Sequence, residues 1–476
     1  MSKAFYVTTT LPYVNADPHV GHALELVHAD IFARYSRLMG REVFFNTGTD
    51  EHGLKVYRKA LEENKEPQEY ADEYALHFQN LVGKLGLIED INFVRTTDPV
   101  HKKAAQEFWK RCDDNGYIYK KDYKIKYCVG CELEKTDSEL EKGCCPLHPN
   151  LPIEIIEEEN YFFKFSQFRE KLLALYNNRP DFVVPRQRFN EIRSFVERGL
   201  EDFSISRLSS KMPWGIPVPG DNSQVMYVWF DALVNYISVI GWPDNMKRFS
   251  KWWPALQFAG KDQIRQQSAM WQAMLMAVGI SEPSRQIIIH GFITNDGEKM
   301  SKSLGNVVNP IPLIDEYGVD AVRYYLARHT HPFEDSNFTM EKFKEAYNAN
   351  LVNGLGNLVA RIMKLAEDNL EQPIKKPKPV SFPKEYTNAI ESFEFNRAID
   401  FVWHKIQTLD ERIAKEEPFR LVKNEPEKGK RIIVELATEL YWVGRMLYPF
   451  LPDTNIKIKK TILANKKPEN LFPRIL

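Results

Sequence analysis

A chain of 476 residues can hold two to four structural units with separate cores, and 43% hydrophobic with 27% charged residues is an ordinary globular composition. Lys and Arg number 64 against 65 Asp and Glu, which excludes a general affinity for nucleic acid and leaves only local basic patches for an RNA partner. Five cysteines make no disulfide framework, and no apolar run suits a signal peptide or a membrane span, so a reducing, cytoplasmic setting without membrane attachment is expected.

Residues 4–10 read as a short strand, followed by a loop over 11–18 that carries Pro12, Asn15 and Pro18. Leu24, Val27, Ile31, Phe32, Tyr35 and Leu38 then recur at helical spacing, which predicts a helix ending near Gly40. Residues 42–46 read as a second strand. This βαβ opening predicts an α/β fold built on a parallel, doubly wound sheet of the Rossmann type.

His19-Val20-Gly21-His22 falls where the first loop meets its helix. Such a junction directs backbone N–H groups and the positive end of the helix dipole at a bound phosphate. The two imidazoles can add donors, and Gly21 leaves room for a nucleotide to approach. On its own, an H-x-G-H pattern is more often a helix cap or a metal site.

From about 117 to 219 the pattern breaks into short strands and turns, which reads as an insertion between two halves of the sheet. It carries Cys128 and Cys131, then Cys144, Cys145 and His148. Two tight ligand turns roughly a dozen residues apart suit tetrahedral zinc held by thiolates and an imidazole. Cys144 and Cys145 compete for one place. Four protein ligands would leave no open position, so the expected role of the metal is structural.

Apolar alternation resumes at 226–237, MYVWFDALVNYI, and continues through 256–262 and 285–293, which predicts the second half of the sheet. The turn Asn295-Asp296-Gly297 then leads to Lys299-Met300-Ser301-Lys302-Ser303. Two ammonium groups on one loop can close on a triphosphate and neutralise its growing charge. Beyond Met340 the spacing is helical over 346–370, 388–415 and 429–450, with a Lys/Pro loop at 372–383.

HVGH and KMSKS, in this order and in these settings, resemble the two signature motifs of class I aminoacyl-tRNA synthetases. KMSKS matches letter for letter, and Val20 is a mild change from the usual Ile or Leu. Four further stretches resemble the methionyl members of that class: Thr10-Leu11-Pro12-Tyr13, Gly48-Thr49-Asp50-Glu51-His52-Gly53, Pro213-Trp214-Gly215-Ile216-Pro217 and Tyr227-Val228-Trp229-Phe230-Asp231-Ala232-Leu233. The resemblance implies ATP-dependent, AMP-forming ligation in two steps. Methionine and ATP give methionyl-adenylate and pyrophosphate, and methionine then passes to the 3′ end of tRNA(Met), the initiator tRNA included. ATP is accompanied by Mg²⁺.

The same resemblance assigns residues. His19, His22, Lys299 and Lys302 would act on the phosphates, with Gly21, Gly260 and Asp262 also at the ATP. Asp50 would hold the methionine ammonium. Leu11, Tyr13, Trp229, Ala232 and Tyr236 would form the side-chain pocket, whose aromatic walls suit a flexible, polarisable thioether. The helix after Gly260-Lys261-Asp262 normally carries a pocket His; here Gln266-Gln267 stands instead, and Gln267 takes that place. Cys145-Pro146-Leu147-His148 resembles a zinc knuckle of many methionyl enzymes, which favours Cys128, Cys131, Cys145 and His148 around one structural Zn²⁺ per chain. Asn357 and Arg361 match anticodon-contacting positions, and Phe419 replaces a usual Trp while keeping an aromatic face for stacking.

The expected division is 1–116 and 225–290 for the two halves of the catalytic domain, and 117–224 for the inserted zinc-knuckle domain. Residues 291–345 would form the KMSKS loop and stem-contact region, and 346–476 a helical anticodon-binding domain. A monomer is expected, since no appended tRNA-binding module follows the helices. Another class I synthetase, a small-acid adenylating enzyme and an inactive tRNA-binding relative are the competing readings. The knuckle with YVWFDA argues against the first, the helical bundle against the second, and the intact pair of motifs against the third.

Overall fold

The computed structural model describes residues 4–131, 133–135, 137–300 and 305–475. They form two compact units. The first comprises Met1–Asp17, Glu42–Asn80 and Asp90–Ile289; the second comprises Pro18–Arg41, Leu81–Glu89 and His290–Leu476.

The first unit is built on a six-stranded sheet in the order Asn92–Arg95, Glu42–Thr49, Ala4–Thr8, Ala255–Gly260, Gln286–His290, Val183–Val184. Neighbouring strands pair in parallel wherever their register is defined. The opening strand lies at the centre and later strands add on both sides, which is the doubly wound arrangement. All six residues of Ala255–Gly260 are buried, as expected of a central parallel strand covered on both faces. The core on this sheet is strongly aromatic. Trp271 is fully buried among Tyr236, Phe108 and Trp253, with ring centroids 5.7, 5.9 and 6.4 Å away.

The stretch 226–237 departs from the expectation of a sheet strand. Only Asp221–Met226 is extended, and it pairs antiparallel with Ser206–Leu208 and Pro217–Val218 in a small separate sheet. The chain then coils into the short helices Val228–Ala232 and Asn235–Ser238, all of whose residues are buried. A run that is apolar on every side fits a buried helix as well as a buried strand, and periodicity alone does not separate the two. The edge strand Val183–Val184 comes instead from within the predicted insertion.

That insertion is dominated by a long antiparallel ladder, Ile118–Cys128 against Glu154–Phe163, flanked by Leu133–Lys135 and Phe203–Ser204. The cysteine-bearing turns lie at the far end of this ribbon.

The second unit combines the helix Val20–Leu38, a small sheet of Glu298–Lys299, Ile293–Asn295 and Ser336–Phe338, and the C-terminal helices. The predicted helical tail is cut more finely than its periodicity suggested. Pro418, Pro426 and Pro452 each open a new helix, at Pro418–Asn424, Pro426–Leu447 and Pro452–Ala464. Proline suits a first helical turn, where no N–H partner is needed.

One buried ion pair organises this unit. Asp30 accepts from Arg34 Nε at 2.7 Å, from Arg323 Nη2 at 2.6 Å and from the backbone N–H of Ile88 at 2.9 Å. Arg323 is fully buried and also donates to the carbonyls of Phe450 at 2.8 Å, Pro449 at 2.9 Å and Leu85 at 3.2 Å. Among the described residues no helix is long and apolar enough to cross a membrane.

Candidate active site and metal-binding cluster

His19 is the N-cap of Val20–Leu38, and it forms a reciprocal cap with His22. Gly21 N–H donates to Nδ1 of His19 at 3.1 Å, and His19 N–H donates to Nδ1 of His22 at 3.2 Å. A backbone N–H can only donate, so each Nδ1 must be the acceptor of its ring. Each neutral imidazole therefore carries its proton on Nε2. Burial lowers His19 from its ordinary value near 6.5 to about 4. Burial, aided by the neighbouring His19 and His290 imidazoles, holds His22 well below that value. The rings stack with centroids 3.8 Å apart. The result is two parallel, neutral Nε2–H donors at the positive end of a helix of 19 residues.

Gly21 has a packing reason beyond nucleotide access. A Cβ there would lie 2.8 Å from Cε1 of His19, so any larger residue would push the imidazole from its place. Within the same unit, Val20 N–H donates to the carbonyl of Val308 at 3.0 Å, and Met300 approaches the Gly21 position. Met300 of the second motif is thus brought beside the first. The backbone of Lys299 pairs with Thr294, but its side chain and all of Lys302 lie outside the described residues. Gly260 ends the buried strand Ala255–Gly260 of the first unit, and exposed Asp262 follows in a tight turn.

The expected methionine-pocket residues all belong to the first unit. Two loops at neighbouring strand ends are zipped together there: Asp50 N–H donates to Pro12 O at 2.9 Å, and Val14 N–H to Asp50 O at 3.2 Å. This sets Tyr13 beside Asp50. Tyr13 also meets Trp229 edge-on, with centroids 5.9 Å apart. Trp229, Ala232 and Tyr236 are buried on the two short helices, while Leu11 is half-buried. Gln267 is buried on the helical segment Gln266–Met270.

Next to these residues lies a layer that motif reasoning did not assign. Glu51 is buried and takes a two-pronged ion pair from Arg95, at 2.6 and 2.8 Å. His52 Nδ1 lies 3.0 Å from Asp231 Oδ2, and His101 Nε2 lies 3.6 Å from Asp231 Oδ1. Burial alone would raise the Asp231 carboxyl, but the two imidazoles outweigh it and hold it below the ordinary value. His52 follows Asp50 by two residues, and Asp231 follows Trp229 by two. The pair therefore clamps the carboxylate-bearing loop to the aromatic wall.

Cys128, Cys131, Cys145 and His148 bring their donor atoms within 4.8 Å of one another. Their separations include 3.2 Å from Cys131 to His148 Nδ1, 3.5 Å from Cys131 to Cys145 and 4.0 Å from Cys145 to His148 Nδ1. A tetrahedron with bonds of about 2.3 Å to sulfur and 2.0 Å to nitrogen has edges of roughly 3.5–3.8 Å, so the set fits one ion. Cys145, not Cys144, takes the fourth place. Gly130 is required between the first two ligands, because a Cβ there would lie 2.5 Å from the His148 ring. Tyr127 joins the cluster to the pocket, packing with Tyr227, Val228 and Trp229.

Asn357, Arg361 and Phe419 are all exposed, on helices Asn357–Asn369 and Pro418–Asn424, which touch each other. Arg361 makes an exposed ion pair with Asp410, an interaction weak enough to be exchanged for another anion.

Against known proteins, the family model described as tRNA synthetases class I (M) matches residues 5–150 and 150–363. A methionine–tRNA ligase of Rickettsia typhi is 40% identical, the match covering 100% of this chain and 96% of the relative. One from Thermotoga maritima is 39% identical over 98% of this chain and 76% of the relative. The structure of Mycobacterium tuberculosis methionyl-tRNA synthetase in complex with methionyl-adenylate superposes with a TM-score of 0.90 at 35% identity, covering 99% of this chain and 100% of that one. With likeness running from end to end, the chain belongs to the class I (M) family of tRNA synthetases.

Proposed function

We propose that this chain activates methionine with ATP and transfers it to tRNA(Met). A methionine carboxylate oxygen attacks the α-phosphorus, the bond to pyrophosphate breaks, and methionyl-adenylate forms. A ribose hydroxyl at the tRNA 3′ end then attacks the acyl carbon, AMP leaves, and the hydroxyl proton is released. The observation that carries this reading is the pair of Nε2–H donors at the helix N-terminus, in a chain alike over 99% of its length to a protein holding methionyl-adenylate.

His19 and His22 meet the charge that grows on the phosphates, and because both are neutral they do so as hydrogen-bond donors. Lys299 and Lys302 neutralise the departing pyrophosphate of ATP, taken as its Mg²⁺ complex. Gly21, Gly260 and Asp262 seat the nucleotide. Asp50 binds the methionine ammonium, and Leu11, Tyr13, Trp229, Ala232, Tyr236 and Gln267 enclose its side chain. Cys128, Cys131, Cys145 and His148 hold one structural Zn²⁺, which ties the two turns of the ribbon together. Asn357, Arg361 and Phe419 read the anticodon of elongator and initiator tRNA(Met). The protein acts as a cytoplasmic monomer.

ATP–pyrophosphate exchange over all the amino acids tests the reading. Methionine is expected to be the preferred substrate, and a preference for any other rejects the assignment. In charging assays, altering the CAU anticodon or introducing Arg361→Ala is expected to impair transfer and leave exchange intact. If neither slows charging, the helical tail does not read the anticodon through these residues.

A further inference from the structure

Gln267 belongs to a buried polar chain whose hydrogen-bond directions can be deduced from one end. Ser284 N–H, a backbone donor, gives to Oε1 of Gln272 at 3.1 Å. The other end of the Gln272 amide must then be Nε2. It donates to the Gln267 carbonyl at 2.9 Å, an unambiguous acceptor, and to Ser284 Oγ at 3.0 Å. Having accepted there, the Ser284 hydroxyl turns its own proton to Oε1 of Gln257. That leaves Nε2 of Gln257 to donate to Oε1 of Gln267 at 3.1 Å. All four residues are buried, at 1% exposure or less.

The chain therefore ends on a Gln267 amide whose oxygen is taken and whose N–H₂ is left over. Among the described residues that nitrogen has no hydrogen-bond partner. An amide N–H₂ that is held by its oxygen and has no protein partner is open to a ligand atom. The neighbours of Gln267 on its helix say which ligand site it faces. Met270, three residues on, packs against the Tyr127–Trp229 cluster, and Trp271, four residues on, packs edge-on against Tyr236. The segment Gln266–Met270 is wound as a π-helix, in which residues four to five apart stack, so Gln267 shares the face of Trp271, which meets Tyr236.

We infer that Gln267 donates its amide N–H to the methionine sulfur, and that Gln257, Ser284 and Gln272 are positioning residues that lock this amide with its nitrogen toward the pocket. The inference rests on the pocket reading above and deepens it. A thioether sulfur is a weak acceptor, whereas the methylene that replaces it in norleucine accepts nothing. Gln is longer and freer than a ring, and fixing it costs side-chain entropy at the moment of binding. The relay meets that cost in advance, since the amide is already held at its oxygen before any substrate arrives.

The test is pyrophosphate exchange with methionine and with norleucine, which keeps the shape and lacks the sulfur. Gln267→Leu is expected to lower the methionine-to-norleucine ratio of kcat/KM about three- to tenfold, the size of one neutral hydrogen bond. Ser284→Ala and Gln257→Leu are expected to lower it in the same range with kcat/KM for norleucine unchanged. Ser284→Thr, which keeps the hydroxyl, should restore the ratio. An equal fall for both amino acids would show that the chain only packs the core, and overturns the positioning roles. A ratio that falls in Gln267→Leu but holds in both Ser284→Ala and Gln257→Leu also overturns them. A ratio unmoved by Gln267→Leu overturns the donor itself. Failure of the underlying reading would appear earlier and separately, as a wild type that does not activate methionine.

Discussion

The paired imidazoles of the second unit, proposed to meet phosphate, and the residues of the first proposed to hold methionine solve the same problem by opposite means. Both must hold N–H donors in fixed directions. At His19 and His22 the direction comes from the backbone of the same four residues, through a reciprocal cap closed within one helical turn. At Gln267 it comes from side chains drawn from three separate places, residues 257, 272 and 284, each oriented by the next. A donor set by local backbone survives changes elsewhere in the core. A donor set by a relay fails when any link is lost. The two regions also differ in charge. The paired imidazoles are buried and neutral, while next to the residues proposed to hold methionine a carboxylate is kept ionised between His52 and His101.

Acid should separate the two most sharply. His28 is held at about 3 and His329 at about 4, in each case chiefly by burial, and His19 and His22 are lowered as well. All four lie in the second unit. In the unfolded chain each returns to about 6.5. Below that pH the unfolded state binds more protons than the folded one, so stability is full above about 6.5 and falls as pH drops toward 4. Buried His28 alone contributes a slope of about 1.4 kcal/mol per pH unit in this window. Asp231, lowered from 3.8, has no such effect until the pH is lower still. Amide hydrogen exchange at stepped pH should show Val20–Leu38 losing protection before Ala255–Gly260. The reverse order would break the comparison.

His22→Ala should come next in size. It removes one donor aimed at developing charge and is expected to slow adenylate formation on the order of a hundredfold, with little change in the KM for methionine. Single-turnover exchange measures both. A rise in that KM with kcat preserved would mean that His22 serves binding and not the reaction.

The smallest effect concerns the metal-binding cluster, which meets the aromatic residues around Trp229 through Tyr127 and Val129. Cys128→Ser and His148→Ala should lose zinc, measured by elemental analysis, and raise the KM for methionine by a few-fold while sparing that for ATP. Cys144→Ala should keep the metal and the KM. Retention of zinc by Cys128→Ser, or its loss from Cys144→Ala, would reassign the ligands.

What could be read from the residues follows the same division. HVGH, KMSKS and the Cys128–His148 cluster are short, and each works through spacing that a sequence displays directly. The parallel sheet was legible from strands such as AFYVT and QIIIH for similar reasons. The stretch 226–237 was not, because complete burial erases the alternation that distinguishes strand from helix. His52 and Asp231 stand 179 positions apart, and nothing in either neighbourhood marks them as partners. Gln267 was visible as a departure from the family pattern, but the direction of its amide depends on Ser284 and Gln257, which no motif includes. Spacing alone left Cys144 and Cys145 in competition; the resemblance of Cys145-Pro146-Leu147-His148 to a zinc knuckle favoured Cys145, and the grouped donor atoms include it.

Arg323 gives the helical tail an unexpected status. Its guanidinium, enclosed on every side, grips the carbonyls of Pro449 and Phe450 with the same fork that holds Asp30 on the helix of the phosphate motif. A tail excised for grafting onto another scaffold would leave that charge behind and expose the two carbonyls it gripped. A core truncated ahead of Pro449 would keep the charge and lose two of its acceptors. The tail is thus no transferable cassette: its last helices and the helix Val20–Leu38 share one buried guanidinium.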